Sequence, residues 1–191
     1  MTPNELMAGV DIDALRALVR GTGMEKFGDI HEQSGKARKW SNMLGLEAGL
    51  YDGTHKPLRI LDLGCGLGYF VRYFRILGHD TTGLDLPGPI HGAAAEIMGN
   101  DFVEHEISVE RLPEQLVGLD VVTMCDVSCR SWMRVYPELI RDLSTRMNPG
   151  GRALFSFHIG DEERANKRLW QRWCSLKSAL TIRGRYILLE F

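Results

Sequence analysis

Three glycines at alternate positions, Gly64, Gly66 and Gly68, separate an apolar run from a stretch with helical spacing. The segment reads Ile60-Leu61-Asp62-Leu63-Gly64-Cys65-Gly66-Leu67-Gly68-Tyr69-Phe70. Glycine has no Cβ and permits positive φ, so a backbone built this way can approach a ligand closely. A lone glycine-rich turn says little. Here a strand precedes it, a helix follows, and an acid, Asp85, stands at the end of the next apolar run. The dinucleotide fingerprint G-x-G-x-x-G, started at Gly64 and Gly66, needs a glycine at position 69. That residue is Tyr69, and the pattern is D-x-G-x-G-x-G. A dinucleotide would bring an anionic pyrophosphate to the helix N-terminus. An acid just before the loop suits a ligand that carries positive charge.

The pattern resembles motif I of the class I S-adenosylmethionine-dependent methyltransferases. That resemblance implies S-adenosylmethionine as cofactor, held by Asp62, Gly64, Cys65, Gly66 and Gly68. The acid matching Asp62 would lie near the methionine portion. Asp85 and Leu86 end the second strand, where a carboxylate can accept both ribose hydroxyls. After the third strand the family places an acid that meets the adenine amino group. Glu106, with Ile107, is assigned that role, although Ser108 stands at a common spacing for it and Glu106 or Glu110 could simply be solvated. Leu112-Pro113 and Asn148-Pro149-Gly150-Gly151 are further family landmarks. In the fourth strand, Cys125 and Asp126 would face the cofactor or the substrate entrance.

These residues need a scaffold of alternating strands and helices. Apolar runs place strands at residues 58–63, 80–86, 101–107, 119–124 and 152–159, with a last strand at 186–191 and a short one at 180–183. Helical spacing links Phe70, Val71, Phe74 and Leu77, then Ile90, Ala94 and Ile97. It recurs in Leu139, Ile140, Leu143 and Met147 after Pro137. A late helix is read through Leu169, Trp173, Leu176 and Leu180, its acidic start and basic end matching the helix dipole. The fold class is α/β: a Rossmann-like, doubly wound, mostly parallel sheet with helices on both faces and an N-terminal helical extension. Ligands in such sheets bind beyond the carboxyl ends of the strands. Residues 1–54 form the extension, with one helix after Asp11 and a second through Ala37, Trp40, Met43 and Leu44; residues 55–191 form the cofactor domain. His31, Glu32, Lys36, Arg38 and Lys39 fall in the extension, which in the family folds over the cofactor as a lid. A charge run of this kind is equally a solvated helix face.

Composition narrows the class further. The net charge of −2 argues against a dedicated nucleic-acid binder. The N-terminus has no basic region followed by a long apolar run, and no window approaches the roughly 20 apolar residues that span a bilayer. Cys65, Cys125, Cys129 and Cys174 form no C-x-x-C pair, so reduced thiols in a cytoplasmic protein and no metal site are expected.

The expected chemistry is methyl transfer to a small-molecule acceptor, which requires alignment first and a base only where the acceptor must lose a proton. His158 at the end of the fifth strand and Asp126 are candidates for that base, or for structural hydrogen bonding. The segment after the fourth strand, Asp126-Val127-Ser128-Cys129, is not the Asn/Asp-Pro-Pro-Tyr of amino-methylating enzymes. The competing readings are an NAD(P)-dependent oxidoreductase, which Tyr69 opposes, and a cofactor-binding regulatory module without turnover. The tail looks trimmed beside the family's closing pair of strands, an edge that a second subunit of a homodimer could cover.

Overall fold

The computed structural model describes residues 1–44, 56–106, 111–128, 136–158, 180–183 and 186–191. They fall into two compact units, Met1–His105 and Glu106–Phe191. In the first unit, helices α1 (Pro3–Leu6), α2 (Ile12–Val19) and α3 (Ile30–Leu44) precede β1 (Arg59–Leu63), α4 (Tyr69–Ile76), β2 (Asp80–Asp85), α5 (Pro89–Met98) and β3 (Asp101–Glu104). The strands run parallel in the order β3-β2-β1. After exposed Arg59, every residue of β1 is buried, as a strand covered on both faces requires. Asp62 is therefore buried with its apolar neighbours, at 4% exposure. α4 covers the sheet with Tyr69, Phe70, Val71, Tyr73 and Phe74. α5 begins with Pro89 and ends at left-handed Gly99, the residues that start and stop a helix most cheaply.

The N-terminal helices belong to this unit. Asp11 caps α2, accepting the Ala14 N–H at 2.9 Å. α1 and α3 pack on α4, and α2 packs on α5. Arg72 of α4 ties them down, donating to the carbonyls of Leu6 (2.6 Å), Ala8 (2.6 Å) and Met98 (2.5 Å). In α3, Ile30, Gln33, Ser34, Ala37 and Ser41 form the buried face. His31, Glu32, Arg38 and Lys39 are exposed, and Lys36 pairs with Glu32 at 2.7 Å, so this charge run is the helix's outer face.

His79 is also buried in this unit. Its Nδ1 accepts the Leu58 N–H at 3.3 Å, so the ring proton sits on Nε2. Burial holds its pKa below the usual histidine value. Below about pH 6.5 the unfolded chain takes up a proton that the folded chain resists, so stability falls on acidification. Denaturant midpoints at pH 7.5 and 5.5 should drop more in the wild type than in His79→Gln. Equal drops would show that His79 does not contribute to the acid slope.

The second unit contains β4 (Leu119–Ser128), α6 (Tyr136–Arg146), β5 (Met147–His158), β6 (Leu180–Arg183) and β7 (Tyr186–Glu190), with strand order β4-β5-β7-β6. β4 and β5 are parallel; β7 is antiparallel to both β5 and β6. The chain thus has a closing antiparallel pair, β7 and β6, where the tail was read as trimmed. Leu180 lies in β6, not on the late helix; residues 159–179, where Leu169, Trp173 and Leu176 fall, lie outside the described residues. β4 extends to Ser128, beyond the expected Met124, because its polar end pairs with Phe157 and His158. β3 stops at Glu104, three residues short of expectation. The Asn148–Gly151 turn is a break in register inside β5, pinned where Asn148 donates to the Gly118 carbonyl and the Asp120 carboxylate. Among the described residues, no helix is long and apolar enough to cross a membrane.

Candidate cofactor site

The glycine loop follows β1 directly. The N–H groups of Gly64 and Cys65 both donate to the Leu84 carbonyl, at 2.7 and 3.2 Å, and Gly68 N–H donates to the Cys65 carbonyl at 2.9 Å. The loop is thereby sewn to the end of β2. Gly68 has a φ of 83°, and a Cβ there would collide with Asn100 Nδ2. That amide donates to the Gly68 carbonyl at 2.8 Å, so the third glycine is required by backbone and neighbour together. Gly66 differs. Its φ is 58°, yet nothing lies within 4 Å of the place a Cβ would take. The second glycine leaves an open face beside the loop.

Asp85 borders that face. Its Oδ2 accepts the Gly66 N–H at 2.7 Å and its Oδ1 accepts the Leu86 N–H at 2.8 Å. An ionised carboxylate has about four acceptor positions, so capacity for two more donors remains. Leu86 is 53% exposed, an apolar surface next to the acid. Carboxylate acceptors beside an open backbone face fit hydroxyl and amino groups better than a pyrophosphate. An adenosyl ligand with a ribose diol and an aminocarboxylate meets that description.

Cys65 turns inward from the loop. Its Sγ lies 2.7 Å from the place a Cβ on Gly83 would occupy, so glycine in the middle of β2 makes room for the thiol. Desolvation, then the negative charges of Asp62 and Asp85, push the Cys65 pKa well above the usual thiol value. Alkylation by iodoacetamide at pH 8, followed by peptide mass spectrometry, should leave Cys65 largely unmodified in the native protein and modify it after denaturation. Rapid native alkylation would contradict this burial.

Gly64, Cys65, Gly66, Gly68, Asp85 and Leu86 therefore converge in the first unit, with Asp62 at the foot of the loop. Glu106 is exposed and opens the second unit. It follows His105, whose N–H donates to the Asp85 carbonyl at 2.9 Å. Ile107, Ser108 and Glu110 lie outside the described residues, as do Cys129 and Cys174. Cys125 is half-buried in β4. Asp126 sits in the same strand, where the β4–β5 register shifts between Met124 and Val127. His158 ends β5 opposite Ser128, so both candidate bases lie toward the carboxyl ends of parallel strands. Among the described residues, no group of three or more His, Cys, Asp or Glu side chains could hold a metal.

Three contributors escaped the sequence reading: Asn100, Gly83 and His91. The signal for the first was the Gly99-Asn100 helix stop, and for the last a polar residue in the first turn of α5 behind an acid-ended strand. His91 Nδ1 lies 3.1 Å from the Gly66 carbonyl and Nε2 lies 3.7 Å from Asp85 Oδ1.

Residues 30–186 match the model of a family described as methyltransferase domain. A malonyl-[acyl-carrier protein] O-methyltransferase of Pectobacterium atrosepticum is 33% identical over 120 residues, covering 62% of this chain and 46% of that protein. A ubiquinone biosynthesis O-methyltransferase of Albidiferax ferrireducens is 30% identical over 141 residues, covering 69% of this chain and 50% of that one. The chain thus spans about half the length of these relatives. Among solved structures, the Burkholderia thailandensis 1,6-didemethyltoxoflavin-N1-methyltransferase, bound to 1,6-didemethyltoxoflavin and S-adenosylhomocysteine, superposes with a TM-score of 0.57. It is 18% identical, with 91% of this chain and 86% of that chain covered, a likeness that gives the Rossmann-like α/β fold.

Proposed function

Because this chain belongs to the methyltransferase-domain family, we propose that it methylates an acidic oxygen, a carboxylate or a phenol, on a small-molecule acceptor, with S-adenosylmethionine as donor. The observation that carries the donor half of the reading is the open face at Gly66 beside a carboxylate already fixed by the loop. The O-methyltransferase names of both relatives support oxygen as the attacked atom. When bound, S-adenosylmethionine supplies a methyl group that an acceptor oxygen displaces in line from a sulfonium. Asp85 takes the ribose, Leu86 covers apolar surface next to it, and Asp62 serves the amino group from the foot of the loop. Glu106 is assigned to the adenine edge, and Cys125 to the lining of the cofactor or acceptor side.

A carboxylate acceptor arrives without its proton, so the protein then needs only to align it. A phenol has to lose its proton, and His158 or Asp126 is the proposed base. The N-terminal helices, residues 1–54 in the sequence division, are assigned the part of a lid, with the exposed charges of α3 outward. Cys65 and Cys125 as reduced thiols suit a cytoplasmic setting.

Methyl-tritiated S-adenosylmethionine, incubated with the protein and either a malonyl thioester or a catechol, tests the reading. Label transferred to oxygen in either acceptor supports it. Label transferred to neither, but to an aromatic amine offered in a parallel incubation, would overturn the oxygen assignment; no transfer to any acceptor although S-adenosylhomocysteine binds would overturn the turnover.

A further inference from the structure

The His91 ring stands between the glycine loop and Asp85. A carbonyl oxygen can only accept, so the contact at 3.1 Å fixes the proton on Nδ1, which donates to Gly66 O. In the neutral ring Nε2 is then a bare acceptor. It faces Asp85 Oδ1, a second acceptor, at 3.7 Å, too far for a hydrogen bond between them. Both side chains are mostly covered, at 17% and 14% exposure, so two acceptors are held side by side with little water around them. Such an arrangement is satisfied by a ligand that offers two neighbouring donors, one to each acceptor. The vicinal hydroxyls of a ribose, one C–C bond apart, are such a pair.

We infer that His91 is a cofactor-binding and specificity-determining residue: Nε2 accepts one ribose hydroxyl and the Asp85 carboxylate accepts the other. The inference deepens the proposed S-adenosylmethionine site and rests on it. It also divides the ribose diol between two residues, where the reading of the sequence assigned both hydroxyls to Asp85. The donation from Nδ1 to Gly66 gives His91 a second task, because it sets the tautomer and braces the open face of the loop.

The test is calorimetric titration of the full chain with S-adenosylhomocysteine and its 2′-deoxy and 3′-deoxy analogues, in wild type, His91→Phe and His91→Gln. In the wild type, loss of either hydroxyl should weaken binding by about tenfold or more, as expected for a hydrogen bond lost in a covered site. In H91F, S-adenosylhomocysteine should weaken by a similar factor, and one of the two deoxy analogues should bind no worse than the parent. H91Q keeps an amide donor for Gly66 and an acceptor for the hydroxyl, so it should restore most of the discrimination. If H91F does not fold, wild type and H91Q decide: the inference fails if either hydroxyl is removed from the ligand without loss in the wild type. Unchanged discrimination in H91F overturns the role of His91 alone. No binding of S-adenosylhomocysteine to the wild type overturns both this role and the function beneath it.

Discussion

Asp85→Ala is expected to weaken S-adenosylhomocysteine binding by about 10- to 150-fold while leaving the protein folded. The variant removes a charge-assisted bond to the ribose, which contributes about 1.5–3 kcal/mol of binding. It also frees the Gly66 N–H that the carboxylate holds at 2.7 Å, so the loop loses its brace in the free and the bound protein alike. Asp85→Asn discriminates between charge and shape. Its amide oxygen can still accept one backbone N–H, but its NH2 faces a second donor, so affinity should remain far below wild type. The measurement is the same calorimetric titration, with circular dichroism to confirm the fold. A folded Asp85→Ala variant with wild-type affinity would remove Asp85 from the site.

Arg146→Ala is expected to lower stability by about 3–5 kcal/mol, the range for breaking a buried charge pair. Arg146 is 8% exposed. Its guanidinium donates to the carbonyls of Leu112 (2.5 Å), Pro113 (2.7 Å) and Leu116 (3.2 Å), and its Nε lies 3.0 Å from Asp142 Oδ1. Asp142 in turn accepts the Leu112 N–H at 2.8 Å. One turn of α6 thus clasps the loop before β4, and alanine would leave a carboxylate and three carbonyls without that donor. At roughly 2–4 °C per kcal/mol for a chain of this size, the melting temperature should fall by about 6–20 °C. Lysine keeps the charge but cannot fork to three carbonyls, so Arg146→Lys should recover only part of the loss. A fall of less than 2 °C for alanine in differential scanning calorimetry would show that the clasp contributes little.

Neither clasp could be read from spacing. The loop itself could, because β1, three glycines and α4 are contiguous and each step is dictated locally: a buried apolar run, positive φ, then helical periodicity. Asp85 was legible for the same reason, standing at the end of an apolar strand. His91, Asn100 and Arg146 act across 25 to 34 positions of sequence, on carbonyl groups that no side-chain pattern reveals. Strand ends were misread where residues past the apolar run continue a pairing, as at Cys125–Ser128, or where the reading ran past the end of the partner strand, as after Glu104, which pairs with the last residue of β2. The short β6 was read at 180–183, yet Leu180 was also counted on the late helix, because four residues carry too little periodicity to separate a strand from a helix end.

The most direct measurement is calorimetric titration of the purified chain with S-adenosylhomocysteine, with NAD and NADP titrated in parallel. Saturable binding of S-adenosylhomocysteine, and no heat of binding from either nicotinamide cofactor, is the expected result. Binding of NAD or NADP alone would contradict it, since a loop with Tyr69 in place of the third fingerprint glycine would then be receiving a pyrophosphate.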